Sequence, residues 1–362
     1  MARYWVGGAG FWNNQTTHWS ATSGGAAGAS VPTLNDDVIF DQNSGSGSYV
    51  ITFSPNAQTT CRNFTMSNCS GTITSNPNGV LQVYGTAFTL DPTGTFAPTN
   101  YPQVNFNGAA GCSITCSSQS FGNVVFNGGN SAVYNLLDNF NAFDFSSQIA
   151  VNSGTINANN HNVNVGHWRH LGTGTKVLNM GSGLWSLSGN AISNPNVWLM
   201  DQHTTLNKGT ANIILTNDGS PNRTFAGGGF TYNKLTIGAA AGNGILTILG
   251  SNTFSELASI KTGSHTIIFG TAEFNNFGAF TVSGSAGNIV TIQSSSGTQT
   301  NLVKTSDSDY WYVGAHSIDG GGNTNIVFTA GAGIDYLNFT NIHGFPAVPP
   351  PSSGSQFLMF LR

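Results

Sequence analysis

Between Phe126 and Val165 the chain reads FNGGNSAVYNLLDNFNAFDFSSQIAVNSGTINANNHNVNV, and this stretch limits the choice of fold more than any other. Short apolar beats (Val133–Tyr134, Leu136–Leu137, Phe143–Phe145, Ile149–Val151, Ile156, Val163–Val165) are separated by Gly, Ser and Asn. Several alternate apolar and polar residues with a period of two, which is the mark of a half-buried strand; no helical stripe runs through them. Gly enters positive φ freely and Asn tolerates it, so the spacers supply turns. Such short strands bury their apolar sides by coiling each unit against the next. The sequence therefore predicts an all-β chain, a single-stranded right-handed parallel β-helix, or β-solenoid.

The same beat recurs in YPQVNFNG from Tyr101, GNVVFNGG from Gly122, YNKLTIGA from Tyr232, GNIVTIQS from Gly287 and IDYLNFTN from Ile334. From Leu235 onward the strand centres are expected near residues 237, 248, 268, 282, 292, 313, 327 and 338. Two or three strands per coil then give roughly 20–35 residues per coil, inside the solenoid range. Three regions are expected: a Trp/Gly-rich cap or docking segment over 1–45, the β-helix over 46–344, and a Pro-rich linker with an apolar tail over 345–362. In the middle, Trp168, Trp185 and Trp198 are read as interior stacking residues.

Charge narrows the functional classes. Only 7% of the 362 residues are charged, against roughly 25% in ordinary globular proteins. The hydrophobic share of 39%, with 24 Phe, is enough apolar mass to fold. The ten Lys and Arg are scattered singly, so no basic stripe exists to engage nucleic acid. MARYWVGG is not a charged-then-apolar leader, and no apolar run of membrane-spanning length occurs. The expectation is a chain made and assembled in a cytoplasm, without membrane insertion.

Residues 4–41 stand apart. Trp5, Trp12 and Trp19 are spaced by sevens among glycines, and read as a lid over the first coil or as an aromatic platform that stacks on sugar rings. The order YWVGG-x-G-x-W, HWS, GG-x-x-GAS-VPT and DDVIFD resembles the opening of a family of bacteriophage and metagenomic virion proteins with tail-fibre-like character. A looser form is similar to repeat-rich bacterial surface proteins and autotransporter-like adhesins. Trp5, Gly7, Gly8, Gly10, Trp12, Trp19, Val31, Pro32, Asp37, Val38 and Phe40 match both. SGSAGNIVTIQSSSGTQTNLVK also resembles a repeat near the end of phage and surface β-helices. The resemblance implies a virion structural protein, a homotrimer among other tail proteins, and contact with a host surface glycan.

Catalysis finds little support in the residues. The best carboxylate pair for a tailspike-type glycosidase is Asp307 and Asp309, beside Tyr310, Trp311 and Tyr312. Positions i and i+2 of a strand lie about 6.5–7 Å apart on one side, within reach of glycosidase geometry. A polar turn before a strand is the simpler reading, and the three aromatics join the binding candidates. Asp138 with Asp144 is weaker, and Asp36–Asp37 reads as a turn entering a strand. His161, His167, His170 and His203 do not suggest one metal site, because His167 and His170 fall on opposite strand faces. The four cysteines, Cys61, Cys69, Cys112 and Cys116, read as buried small hydrophobes, with a disulfide formed outside the cell as the alternative. Asn14, Asn63 and Asn68 open glycosylation sequons that carry no weight without an export signal. No phosphate loop, nucleophile elbow or dinucleotide fingerprint is present, so neither cofactor nor metal is expected. Phe357, Leu358, Met359, Phe360 and Leu361 are the expected assembly or docking tip. The reading is a non-enzymatic tail-fibre or appendage component; the alternatives are a tailspike depolymerase and a bacterial surface adhesin.

Overall fold

A computed structural model describes residues 1–53, 58–75, 79–96, 102–142, 145–190, 194–217, 222–238, 244–282, 290–295 and 300–304, with the short strands Ile318–Asp319, Ile326–Thr329 and Phe339–Thr340. Among these residues the chain is all β except for one four-residue helix, Gln15–His18. The strands pair in parallel and in register, coil upon coil, as a β-solenoid. The chain forms two compact units: residues 1–188 with 201–211, and residues 189–200 with 212–362. The tail candidates Phe357–Leu361 and the Pro-rich segment lie outside the described residues, as does the expected strand near 313.

The first unit uses three strands per coil. One coil runs Asp37–Phe40, Val50–Phe53, Gln58–Cys61; the next runs Phe64–Met66, Thr72–Ser75, Val80–Val83. Each strand pairs with its counterpart one coil on, as in Val38↔Phe64, Ile51↔Ile73 and Cys61↔Val83. Along the sheet that runs from Asp37–Phe40 to Thr204–Asn207, counterparts on neighbouring coils are 22 to 28 positions apart. Parallel strands need crossover connections, and here each crossover is the rest of the coil. Alternation then sorts the side chains: Phe40, Phe64 and Phe88 point inward and are fully buried, while Ile39, Thr65 and Thr89 between them face outward.

Because counterparts sit in register, inward aromatics stack on one another. Phe64 and Phe88 lie 5.0 Å apart and Phe106 and Phe126 5.4 Å; Phe121 and Phe140, which are not register partners, also stack, at 5.1 Å. Trp168 and Trp185 meet edge-on at 4.8 Å, inside as expected. One face is interrupted. Thr95–Phe96 ends a four-stranded sheet and Ser120–Phe121 begins another. Gln119 spans the interruption, accepting from the Phe96 backbone N–H at 3.1 Å and donating to the carbonyls of Asp91 and Gly94 at 3.3 and 2.8 Å. A side-chain amide thus replaces the missing backbone ladder.

The 1–45 segment is bonded into this unit. Ala2–Trp5 pairs in parallel with Asp37–Phe40, and on its other side Trp19–Ser20 pairs with it antiparallel. Asn14 caps the short helix that turns the chain, its side-chain oxygen accepting from the Thr16 N–H at 3.2 Å.

The second unit uses two strands per coil. Thr231–Ile237, Thr253–Ser259 and Phe274–Thr281 are long strands that alternate with Ile245–Leu249, His265–Phe269 and Val290–Ser294. The long strands pair as Tyr232↔Phe254 and Lys234↔Glu256, and their inward side changes between those two pairs. Tyr232 is buried before that point and Leu235 and Ile237 after it, so one strand lines the core on both sides of an irregularity. In this unit Trp198 stacks on Phe225 and Phe254 on Phe277, each at 5.8 Å, while Phe225 is tilted against Phe254 at 5.9 Å.

Alternation across one strand is directly testable. Phe64→Ala, which empties a fully buried stacked site, is expected to cost about 3–5 kcal/mol of stability. Thr65→Ala, its outward neighbour, is expected to stay within about 0.5 kcal/mol of wild type in the same urea titration.

Candidate functional site

The N-terminal aromatics close an end of the first unit's sheet. Trp5, Trp12 and Trp19 are 0, 2 and 0% exposed, packed edge-to-face on each other and on Phe40 and Phe53. Trp5 Nε1 donates to the Gly8 carbonyl and Trp19 Nε1 to the Trp12 carbonyl, each at 2.7 Å. A sugar platform needs an open ring face, and these rings have none. The tryptophans are a lid, not a stacking surface. His18 lies flat on Trp5, with centroids 4.6 Å apart and planes within 1°, and its Nδ1 donates to the Val6 carbonyl at 3.0 Å. A Cβ on Gly10 would stand 2.0 Å from His18 Nε2, and one on Gly7 2.8 Å from the Thr17 carbonyl. The glycines of the opening motif make room for that histidine and its turn.

The acidic candidates in the described residues are committed to turns. Asp36 accepts from the Thr33 N–H and hydroxyl at 3.0 and 2.7 Å and pairs with Arg3 at 3.7 Å. Asp37 is held by the Arg62 guanidinium and by Asn63. Asp138 accepts from the Cys116 and Ser117 N–H groups at 2.7 and 2.6 Å. Asp144, Asp307, Asp309, Tyr310, Trp311 and Tyr312 lie outside the described residues. The four cysteines are free thiols, all buried, and burial pushes Cys112 up to about 12.

His167 and His170 are both buried, at 0 and 1% exposed, whereas His161 is partly exposed and His203 exposed. His167 Nδ1 sits 3.1 Å from the Ser147 carbonyl, so it serves a turn. No group of three metal-binding side chains occurs among the described residues. His170 belongs instead to a buried polar chain. Its Nδ1 lies 2.8 Å from Thr204 Oγ1, whose hydroxyl donates to Asp201 Oδ1 at 2.9 Å, and Asp201 Oδ2 pairs with Lys176 Nζ at 2.9 Å. Since Thr204 spends its one proton on Asp201, His170 carries its proton on Nδ1. Lys176 is wholly buried; its ammonium also donates to the carbonyls of Leu171, Gly172 and Gly174. The arrangement ties a loop to the strand that follows it. Only its Asp201 end is partly exposed.

Among the described residues of the second unit, Ser259 and His265 are in contact. Ser259 Oγ lies 2.9 Å from His265 Nε2, and His265 Nδ1 donates to the Gly263 carbonyl at 3.0 Å. Burial lowers the His265 pKa, against a smaller upward push from that carbonyl, and the charges of Lys261 and Arg223 lower it further. A carbonyl, not a carboxylate, orients the imidazole, so an imidazolium formed there gains no anionic partner.

The most regular surface feature is a ladder of asparagines. Asn157 Nδ2 donates to Asn135 Oδ1 at 2.8 Å, Asn179 to Asn157 at 2.6 Å, and Asn207 to Asn179 at 2.6 Å. A second pair, Asn164 to Asn141 at 2.8 Å, stands on another face. The sequence reading missed this ladder, although its signal is present: Val133-Tyr-Asn135, Thr155-Ile-Asn157, Val177-Leu-Asn179 and Thr205-Leu-Asn207 repeat one outward–inward–outward triplet.

The chain matches no family model, no curated protein and no solved structure. The functional reading therefore stands on the geometry and on the resemblance of its opening motif. No helix among the described residues is long and apolar enough to cross a membrane.

The buried histidine makes the first unit sensitive to acid. Burial holds His170 down to about 3 from an ordinary 6.5, with Asp201 raising it and Lys176 lowering it. Its folded pKa lies below its unfolded one, so its contribution to stability is complete above about 6.5 and is lost as pH falls toward 3. Stability is expected to drop by up to about 1.4 kcal/mol per pH unit through that window. Urea midpoints between pH 7 and 4 should show the slope, and His170→Gln should flatten it. Asp201→Ala, which strands the buried Lys176 charge, is expected to cost about 3–5 kcal/mol at pH 7.

Proposed function

We propose that this chain is a structural component of a virion, in a tail fibre or similar appendage, that acts as a stiff spacer and attaches to host-surface glycan without cleaving it. One observation carries the reading: the in-register solenoid turns a row of uncharged amides, locked to each other by hydrogen bonds, toward solvent on four successive coils. Planar amides and hydroxyls pair with sugar hydroxyls, and their fixed orientation lowers the ordering cost of binding. The opening motif supports the placement, since YWVGG-x-G-x-W and DDVIFD resemble tail-fibre-like virion proteins. Assembly as a homotrimer with other tail proteins is part of the same proposal.

Immunogold labelling of purified particles with antibodies to this chain tests it. Gold on tails or appendages is the expected result; particles free of label, with the chain found only in the unassembled fraction, would reject the virion role. Incubation with host polysaccharide should release no oligosaccharide. Fragments that vanish in Asp309→Asn would establish a depolymerase instead.

A further inference from the structure

The asparagine ladder lies within a wider two-row array. Outward positions on four consecutive strands of the first unit are Val133 and Asn135, Thr155 and Asn157, Val177 and Asn179, Thr205 and Asn207. Register places Val133, Thr155, Val177 and Thr205 in one row and the four asparagines in the other. The rows are about 6.5–7 Å apart, and successive coils about 4.8 Å. None of the eight side chains is charged or aromatic.

An asparagine amide has two N–H donors and two acceptor lone pairs. At Asn157 and Asn179 the ladder uses one of each, which leaves one donor and one acceptor per coil for a ligand. The neighbouring row offers methyl groups, alternately from Val and Thr. Donor, acceptor and apolar patch therefore repeat at the coil spacing. A polyanion would lose hydration here with no cation to meet it. A protein partner would lack the aromatic and Arg anchors that carry most interface energy. An uncharged polymer of hexose units fits both rows, with hydroxyls on the amides and C–H faces on the methyls.

We infer that this face binds an uncharged linear polysaccharide laid along the direction in which the coils stack. The inference rests on the attachment role proposed above and specifies its face and ligand class. Affinity electrophoresis in native gels cast with glucomannan or with polygalacturonate tests it. Wild type should be retarded by glucomannan and not by polygalacturonate. Val177→Lys, which sets a cation in the methyl row, and Asn157→Leu, which breaks the ladder, should each weaken retardation by about tenfold or more in apparent affinity. Thr52→Lys, on a different face of the same unit, should behave as wild type. Thermal unfolding of Val177→Lys should match wild type, so that lost binding reports the face and not the fold. Retardation by polygalacturonate alone, or retardation by glucomannan unchanged in Val177→Lys, overturns the inference and leaves glycan attachment standing. Retardation by neither polymer overturns the inference, and immunogold labelling then judges the virion role separately.

Discussion

Every other feature depends on parallel pairing in register, because it sets each side chain over its counterpart one coil away. Inside, the condition rewards like on like: Phe64 over Phe88, Phe106 over Phe126, Phe254 over Phe277. Outside, the same condition penalises like charges, since neighbours across a strand pair repel at close range. This accounts for a surface with so few ionisable groups. Where charges do face outward, they alternate. Lys234 meets Glu256 on the adjacent coil at 2.9 Å, and Arg62 meets Asp37. Asparagine escapes the penalty altogether, because an amide is both donor and acceptor and gains from stacking on itself.

The two units solve the coil differently with one chemistry. Short strands of three or four residues require three faces and three turns per coil. Strands of seven or eight residues whose burial pattern changes midway make two walls from one segment, so two strands suffice. The change explains why the spacing of beats is uneven along the chain.

Much of the architecture was legible in sequence where alternation was clean. Val163-Asn164-Val165 is buried, exposed, buried as its pattern implies, and strands near 248, 268, 292 and 327 appear as expected. The expected centre at 282 instead falls at the end of Phe274–Thr281. Thr253–Ser259 and Thr300–Lys304 were missed because their polar residues hide the beat. Lys176 was illegible for a different reason: a lysine reads as surface until the carbonyls of Leu171, Gly172 and Gly174 are seen to converge on it. The tryptophan lid left two readings open, and burial decides between them. The asparagine array needed the register itself, since spacings of 22, 22 and 28 acquire meaning only when the length of each coil is known.

The antiparallel strand Trp19–Ser20 gives the first unit a direction of growth. Its pairing with Ala2–Trp5 occupies the side on which a preceding coil would dock, while Asp37–Phe40 on the opposite side receives the next. The segment that covers this edge also precedes the coils in sequence. During synthesis a finished template is thus present before the first full turn emerges, and later turns can be laid down one at a time on an edge already formed. The fold therefore extends along its own chain from an edge that is set before the coils begin.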